Sequence, residues 1–308
     1  MMKHVKALAV LATIAMVVAS GFGRTNVVSG LSQTNAAQAQ TSIKLYVLDG
    51  GVLESDPARY RLTKEDVGTT QLSVAAYLIV HPRGVLLWDT GAVPDESWKP
   101  TGSPVQQRLV LPDGQERSVT LRSSLNTQLN ASGYSPARVT HLALSHYHWD
   151  HTANANAFAG SNWLVQEAER AAMFAPPSNT KAKGPNAPNL AYFGQLEHSK
   201  TTLIKNQDHD VFGDGTVVIK YTPGHTPGHQ SLFLKLAKTG PVLLSGDLYH
   251  YPEEMTYKRI PSFDFDMEQT AKSRTMIEEF VKKNNAQLWI QHDYTAGIKR
   301  KIAPEFYE

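Results

Sequence analysis

Residues 139–151 read V-T-H-L-A-L-S-H-Y-H-W-D-H. The first half has the pattern of a buried strand, and the cluster H-Y-H-W-D-H follows at its end. Loops at strand ends are where α/β folds collect their chemistry. Three histidines and one aspartate fall within positions 146–151. In a loop, that spacing can turn four donor groups toward two neighbouring points. His-rich tracts of this kind read as metal-binding. The chain has no cysteine, so any metal site must be built from imidazole and carboxylate.

The rest of the chain reads as a single α/β unit over 41–308, in which strands are expected at 43–48, 74–80, 85–88, 139–144, 163–166, 216–221, 231–236, 242–245 and 288–290. Helices are expected at 121–131, 166–174 and 267–284. In the last, Met267, Ala271, Ile277, Phe280 and Val281 form a helical stripe, and Asp266 with Gln269 resembles a capping box. Residues 92–118 and 175–200 lack periodicity and are rich in Pro, Gly, Asn and Lys. They read as long surface loops, a frequent source of lids. Met173, Phe174, Tyr192 and Phe193 flank the second and suit either an acyl chain or the core.

Residues 1–20 have the form of a secretory signal peptide. Lys3 and Lys6 precede an apolar run from Ala7 to Ala19, too short for a comfortable membrane span. Cleavage would follow Ser20 or the A-Q-A at 37–39, and 21–40 has a disordered composition. The expectation is export, to the periplasm or outside the cell. Of 30 basic and 28 acidic residues, the first 40 hold three basic and no acidic ones. The remainder is within one charge of neutral, which gives no case for nucleic acid or an anionic membrane as partner. Oligomeric state is open between monomer and dimer.

One cluster is not a complete site, but three further strands end in donor groups. T222-P-G-H-T-P-G-H229 follows the strand at 216–221 and offers His225 and His229, between which composition does not choose. V242-L-L-S-G-D247 ends an apolar strand in an aspartate able to bridge two cations. L288-W-I-Q-H292 ends another in a histidine. A lone Asp or His at a strand end is more often a cap or a surface group. The combination, in this order and with the cluster, points to a metal centre.

The ordered set H-x-H-x-D-H, His, Asp, His resembles the metallo-β-lactamase-fold hydrolases over nearly all of 41–308, and L86-L-W-D-T-G91 matches that family's early D-T-G element. Within the superfamily, residues 222–232 with Asp247 and His292 look most like the N-acyl homoserine lactonases. The resemblance implies a four-layer αββα sandwich with two divalent metal ions at the edge of its sheets. His146, His148 and His225 would hold one ion and Asp150, His151 and His292 the other, with Asp247 bridging. His229 would then be structural or support a ligand. His141 reads as a packing residue, and Asp89 as a brace for the site.

Two such ions about 3.5–4 Å apart can share a water and bring its pKa toward about 7, giving a hydroxide that attacks a carbonyl carbon. Asp150 is placed to pass a proton to the leaving alkoxide as well as to bind metal. Nitrogen and oxygen ligands suit zinc, and iron, cobalt or manganese would also fit. The reaction implied is opening of a lactone ring, most of all of N-acyl homoserine lactones. A class B β-lactamase is a competing reading, which Asp247 opposes. A glyoxalase-type thioester hydrolase is another, for which Lys299–Lys301 could imitate a basic glutathione site. A protein that binds metal without catalysis is a third. The lactonases place a tyrosine three residues after the bridging Asp. Here that position is His250, so the flanking Tyr249 and Tyr251 are the candidates for contact with the substrate carbonyl.

Overall fold

Strands that alternate apolar residues on both faces must be covered on both, and this chain builds two such sheets. In the computed structural model, residues 42–98, 105–110, 114, 116–176 and 187–308 are described and form one compact unit. The expected leader over 1–40 lies outside them. The first sheet contains β1 (Lys44–Glu54), β2 (Gln71–His81), β3 (Gly84–Trp88), β4 (Val105–Val110), β5 (Glu116–Leu121), β6 (His141–Ala143), β7 (Asn162–Gln166) and β8 (Thr201–Ile204). Its spatial order is β4-β5-β1-β2-β3-β6-β7-β8. The second contains β9 (His209–Asp210), β10 (Val217–Tyr221), β11 (Gln230–Leu236), β12 (Gly240–Leu244) and β13 (Gln287–Trp289), in the order β13-β12-β11-β10-β9.

The two-residue period of a strand explains the layers. In β2, Ala75, Tyr77 and Ile79 point into a core shared with Val217, Ile219, Leu232, Leu234, Val242 and Leu244 of the second sheet. Their neighbours Ala76, Leu78 and Val80 point the other way, against α1 (Leu125–Ala131) through Leu125 and Leu129. On the far side, Phe233 and Leu243 pack against Ile277 and Phe280 of the long helix at Met267–Asn284. The result is the four-layer αββα arrangement. That helix spans the residues expected of it. Asp266 caps it by accepting from the backbone N–H of Glu268 and Gln269, in place of the expected reciprocal box.

Two expectations need correction. The segment 92–118 is not wholly a loop, because β4 lies within it and pairs antiparallel with β5, which begins there. Val119 and Leu121 of β5 are buried while Glu116 and Ser118 are exposed, so one apolar face is enough to dock the strand. In the second segment, Phe193 is fully buried and joins Met173 in the outer core, with Phe174 and Tyr192 packed against them. These four side chains serve the core. Residues 177–186 of that segment lie outside the described residues.

Candidate metal centre

Strand direction brings the expected donors to one place. β3 and β6 are parallel neighbours, so Asp89 and the cluster from His146 emerge from the same edge. β10 and β12 both run antiparallel to β11, and β12 is parallel to β13, so His225, Asp247 and His292 emerge together. A single helical turn, α2 (Trp149–Thr152), begins directly after His148 and redirects Asp150 and His151 to a second point. Gly246 turns the chain into Asp247 with φ +55°, and a Cβ there would lie 2.7 Å from His229 Nε2.

The donors form two buried groups. His146, His148, His225 and Asp247 each offer an atom within 4.8 Å of the others, and Asp150, His151 and His292 do the same. Asp247 joins them. Its Oδ2 lies 3.4 Å from His225 Nε2 and 3.6 Å from His146 Nε2, and its Oδ1 lies 3.1 Å from both His151 Nε2 and His292 Nε2. His148 Nδ1 faces His225 Nε2 at 3.0 Å. His146 Nε2, His151 Nε2 and Asp247 Oδ1 are buried without a hydrogen-bond partner. Buried polar atoms are ordinarily paired, and facing lone pairs repel unless a cation lies between them. The donor set therefore fits two metal ions.

Outer contacts aim these donors. Asp89 accepts from the Ser145 backbone at 2.6 Å and from Gln291 Nε2 at 2.8 Å, and it holds His151 Nδ1 at 3.0 Å. Asp264 holds His225 Nδ1 at 2.9 Å, and the Ser73 carbonyl holds His292 Nδ1 at 2.7 Å. Each of these three rings thus turns Nε2 inward, the usual arrangement behind a metal-binding imidazole. Glu169, in the helix Glu167–Met173, links two ligand loops. It accepts from Tyr147 N, between two cluster histidines, and from Thr226 Oγ1 and Gly228 N beside His225. Burial pushes its carboxyl up to about 7. Asp89 was legible as a brace, whereas Glu169, Asp264, Gln291 and Ser73 carry no local signal of their own.

Burial presses the imidazoles of His146, His148 and His225 well below their ordinary value, and neighbouring imidazoles add to this. Burial also opposes charge on His151, but Asp247, Asp89 and Asp150 outweigh it and raise that ring. Burial would raise Asp247, yet His151, His292 and His146 hold it well below the usual carboxylate range. The depressed rings of His146, His148 and His225 around an ionised Asp247 suit a metal ion, whereas the raised ring of His151 would release its proton on binding one.

His229 belongs to the frame. Its Nε2 accepts the backbone N–H of Asp247 at 3.0 Å and its Nδ1 lies 3.0 Å from the Thr222 carbonyl, so neither nitrogen is left for a metal. His141 is half-buried, with its ring edge-on to Phe212. Neither of the expected tyrosines lines the cleft over the centre. Tyr249 is fully buried and donates to Glu278, and Tyr251 donates to the Thr70 carbonyl at 3.4 Å. The turn at Gly246–Leu248 leaves the chain extended at Tyr249, so alternate side chains diverge. It is His250 that lines the cleft over the centre. Burial opposes charge on its ring, but Asp247 and Glu254 bring it up to about 10. Tyr249→Phe and Tyr251→Phe are each expected to leave kcat/KM unchanged, with Tyr249→Phe losing about 1 kcal/mol of stability. A loss on the order of 10²-fold, the scale of a missing general acid, would return that tyrosine to the site.

Comparison with known proteins agrees with this geometry. Residues 69–284 match the family model described as the metallo-β-lactamase superfamily. The chain belongs to this superfamily. Among its relatives, N-acyl homoserine lactonase AttM of Rhizobium radiobacter is 29% identical over 282 residues, covering 87% of this chain and 99% of the relative. An N-acyl homoserine lactonase of a Bacillus species is 30% identical over 266 residues, covering 85% and 98%. A solved N-acyl homoserine lactone hydrolase, with the product N-hexanoyl-L-homoserine bound at its catalytic metal centre, aligns with TM-score 0.69 at 27% identity and covers 86% of this chain and 99% of its own. The superfamily fold accounts for the two sheets, their helical covers and the two-metal edge between them.

Proposed function

We propose that the protein hydrolyses N-acyl homoserine lactones and related lactones at a two-metal centre, a quorum-quenching activity. The observation that carries this reading is Asp247, which presents one carboxylate oxygen to each donor group. His146, His148 and His225 would hold one ion and Asp150, His151 and His292 the other, with Asp247 shared between them. The all-nitrogen-and-oxygen set suits zinc. Two divalent ions supply an activated water and polarise a carbonyl.

The chain's own groups do the rest. Asp150 has the most exposed side chain of the ligand carboxylates, at 12%, and it lines the cleft. It would take up the proton released by the attacking water and hand it to the alkoxide formed when the ring opens. Leu53, Tyr60, Leu72, Trp149 and Phe263 line the cleft beside the polar Glu54, Ser55, Arg59 and Ser118, a mixed wall with room for an acyl chain along its apolar part. Arg59 stands over the Phe263 ring at 5.3 Å and adds a cation at the rim. We further propose export across a membrane, supported by the Lys3 and Lys6 start and the apolar run that follows.

The test is a side-by-side panel with the two-metal enzyme: acyl homoserine lactones, aliphatic lactones, aryl esters, a thioester and a carbapenem. The lactones are expected to give the highest kcat/KM, with all turnover lost on chelation. A carbapenem value above every lactone would overturn the reading.

A further inference from the structure

We propose that the protein has a second binding site, for a medium-chain carboxylate, in a cavity between β1, β2 and the C-terminal chain. The site is separate from the cleft over the metal centre, with which it shares no lining residue. Its Ser73 wall nevertheless stands behind a metal ligand, because the Ser73 carbonyl holds His292 Nδ1.

The cavity lies where the chain after the short helix Tyr294–Gly297 crosses β1 and β2. Residues 298–302 form a strap there, pinned at both ends. At one end a Cβ on Gly297 would stand 2.9 Å from Ser73 Oγ, so the backbone lies against β2. At the other, Ala303 N donates to the Val47 carbonyl at 2.9 Å. Between them a volume of about 210 Å³ remains, against about 60 Å³ in the cleft over the metal centre. Val47, Val52, Val74 and Ala75 supply its apolar lining. Ile298 and Ile302 border it as well, yet are 63% and 46% exposed. Apolar side chains left open around a cavity, with a few convergent polar groups, are the usual make-up of a ligand site.

The polar groups decide the charge of the ligand. Arg122 and Arg300 both line the cavity, and among the described residues neither guanidinium is hydrogen-bonded. Arg122 lies in the field of Asp49, which also lines the cavity and accepts from Gly51 N at 3.0 Å. Arg300 has no acid paired with it among the described residues. Its guanidinium stands 4.7 Å from the centre of the Trp289 ring, which holds the fork in place and leaves its N–H groups free to donate. One acid against two cations leaves a single positive charge, which calls for a monoanion. A guanidinium takes a carboxylate through two parallel hydrogen bonds, and the valines beyond it take an alkyl chain. Lys299 and Lys301 flank Arg300 in sequence. The basic run that could imitate a glutathione site therefore belongs to this strap, and none of its three residues lines the cleft over the metal centre.

The experiment titrates the zinc-loaded full chain with sodium octanoate by calorimetry, with hexanoate, acetate and 1-octanol as comparisons. One octanoate per chain is expected. Hexanoate, two methylenes shorter, should bind about 10-fold more weakly, and acetate and octanol should not bind measurably. Arg300→Gln removes the guanidinium fork and should weaken octanoate on the order of 10-fold. Val52→Trp fills the cavity from β1 and should abolish binding; should the larger ring prevent folding, Arg300→Gln still decides the matter. Both variants should keep the metal content of wild type. Octanoate binding that survives these substitutions would place the carboxylate on the metal ions and overturn the proposal. So would acetate or octanol binding as tightly as octanoate, or no octanoate binding at all. No lactone enters the titration, so failure of the substrate reading leaves its result intact.

Discussion

Asp247→Asn is expected to lower kcat/KM on the order of 10³-fold or more, and to leave no more than one ion bound at wild-type affinity. The carboxylate is 3% exposed, with imidazole nitrogens of His146, His151, His225, His250 and His292 within 3.1–3.6 Å. The substitution keeps the shape, removes the negative charge and turns one oxygen into an N–H donor. An amide can still donate to a neutral imidazole, so the metal-free protein should fold. It cannot offer a lone pair to each of two cations. Two-metal clamping is worth several kcal/mol in the transition state, and each 1.36 kcal/mol is about ten-fold in rate. Metal analysis beside lactone kinetics checks this. Full occupancy by two ions with undiminished turnover would make Asp247 an ordinary strand-end residue and reopen the β-lactamase reading.

The donors were legible because their chemical identity does most of the work. His146, His148, Asp150 and His151 lie within six positions, and His225, Asp247 and His292 each follow an apolar strand. A strand end fixes where a side chain starts, so type and order were enough to gather them. The tyrosines failed for the complementary reason. Which of Tyr249, His250 and Tyr251 faces the cleft is set by the turn at Gly246–Leu248, where Asp247 departs from helical geometry at φ −95° and ψ 24°. A three-residue window of sequence does not encode that direction. The outer contacts were hidden by distance along the chain: Glu169 reaches Gly228 across 59 positions, and Ser73 supports His292 across 219. The hairpin of β4 and β5 escaped notice because a one-sided strand beside Pro and Gly shows only two or three periodic residues. The layers were easier to read, since β2, β11 and β12 are apolar on both faces and only a doubly covered sheet accommodates that.

The last expected result concerns the turn that carries His225. Gly224→Ala should destabilise the protein by roughly 3–5 kcal/mol, combining the strain of an unfavourable backbone with overpacking. Gly224 has φ +137°, a region L side chains rarely adopt, and a Cβ there would lie 2.3 Å from the Thr270 backbone nitrogen and 2.4 Å from its Oγ1. Neither neighbour can retreat. Thr270 Oγ1 donates to Asp264 at 2.8 Å, and Asp264 in turn holds His225. The turn is also laced to the helix start, with Asp266 N donating to the Gly224 carbonyl at 2.9 Å and Phe265 N to the His225 carbonyl at 3.1 Å. Alanine would lower the entropy of the unfolded chain, a gain of only about 0.4–1 kcal/mol, so the clash decides the sign. For a chain of this size the loss corresponds to about 10 °C in melting temperature. Relief of the clash must move Thr270 and with it Asp264, so the ion beside His225 should be released to a chelator sooner than the other. Thermal unfolding of the metal-free protein and chelator release of the loaded one measure the two effects. A melting temperature equal to wild type would mean that the turn yields, and that His225 is aimed by Asp264 alone.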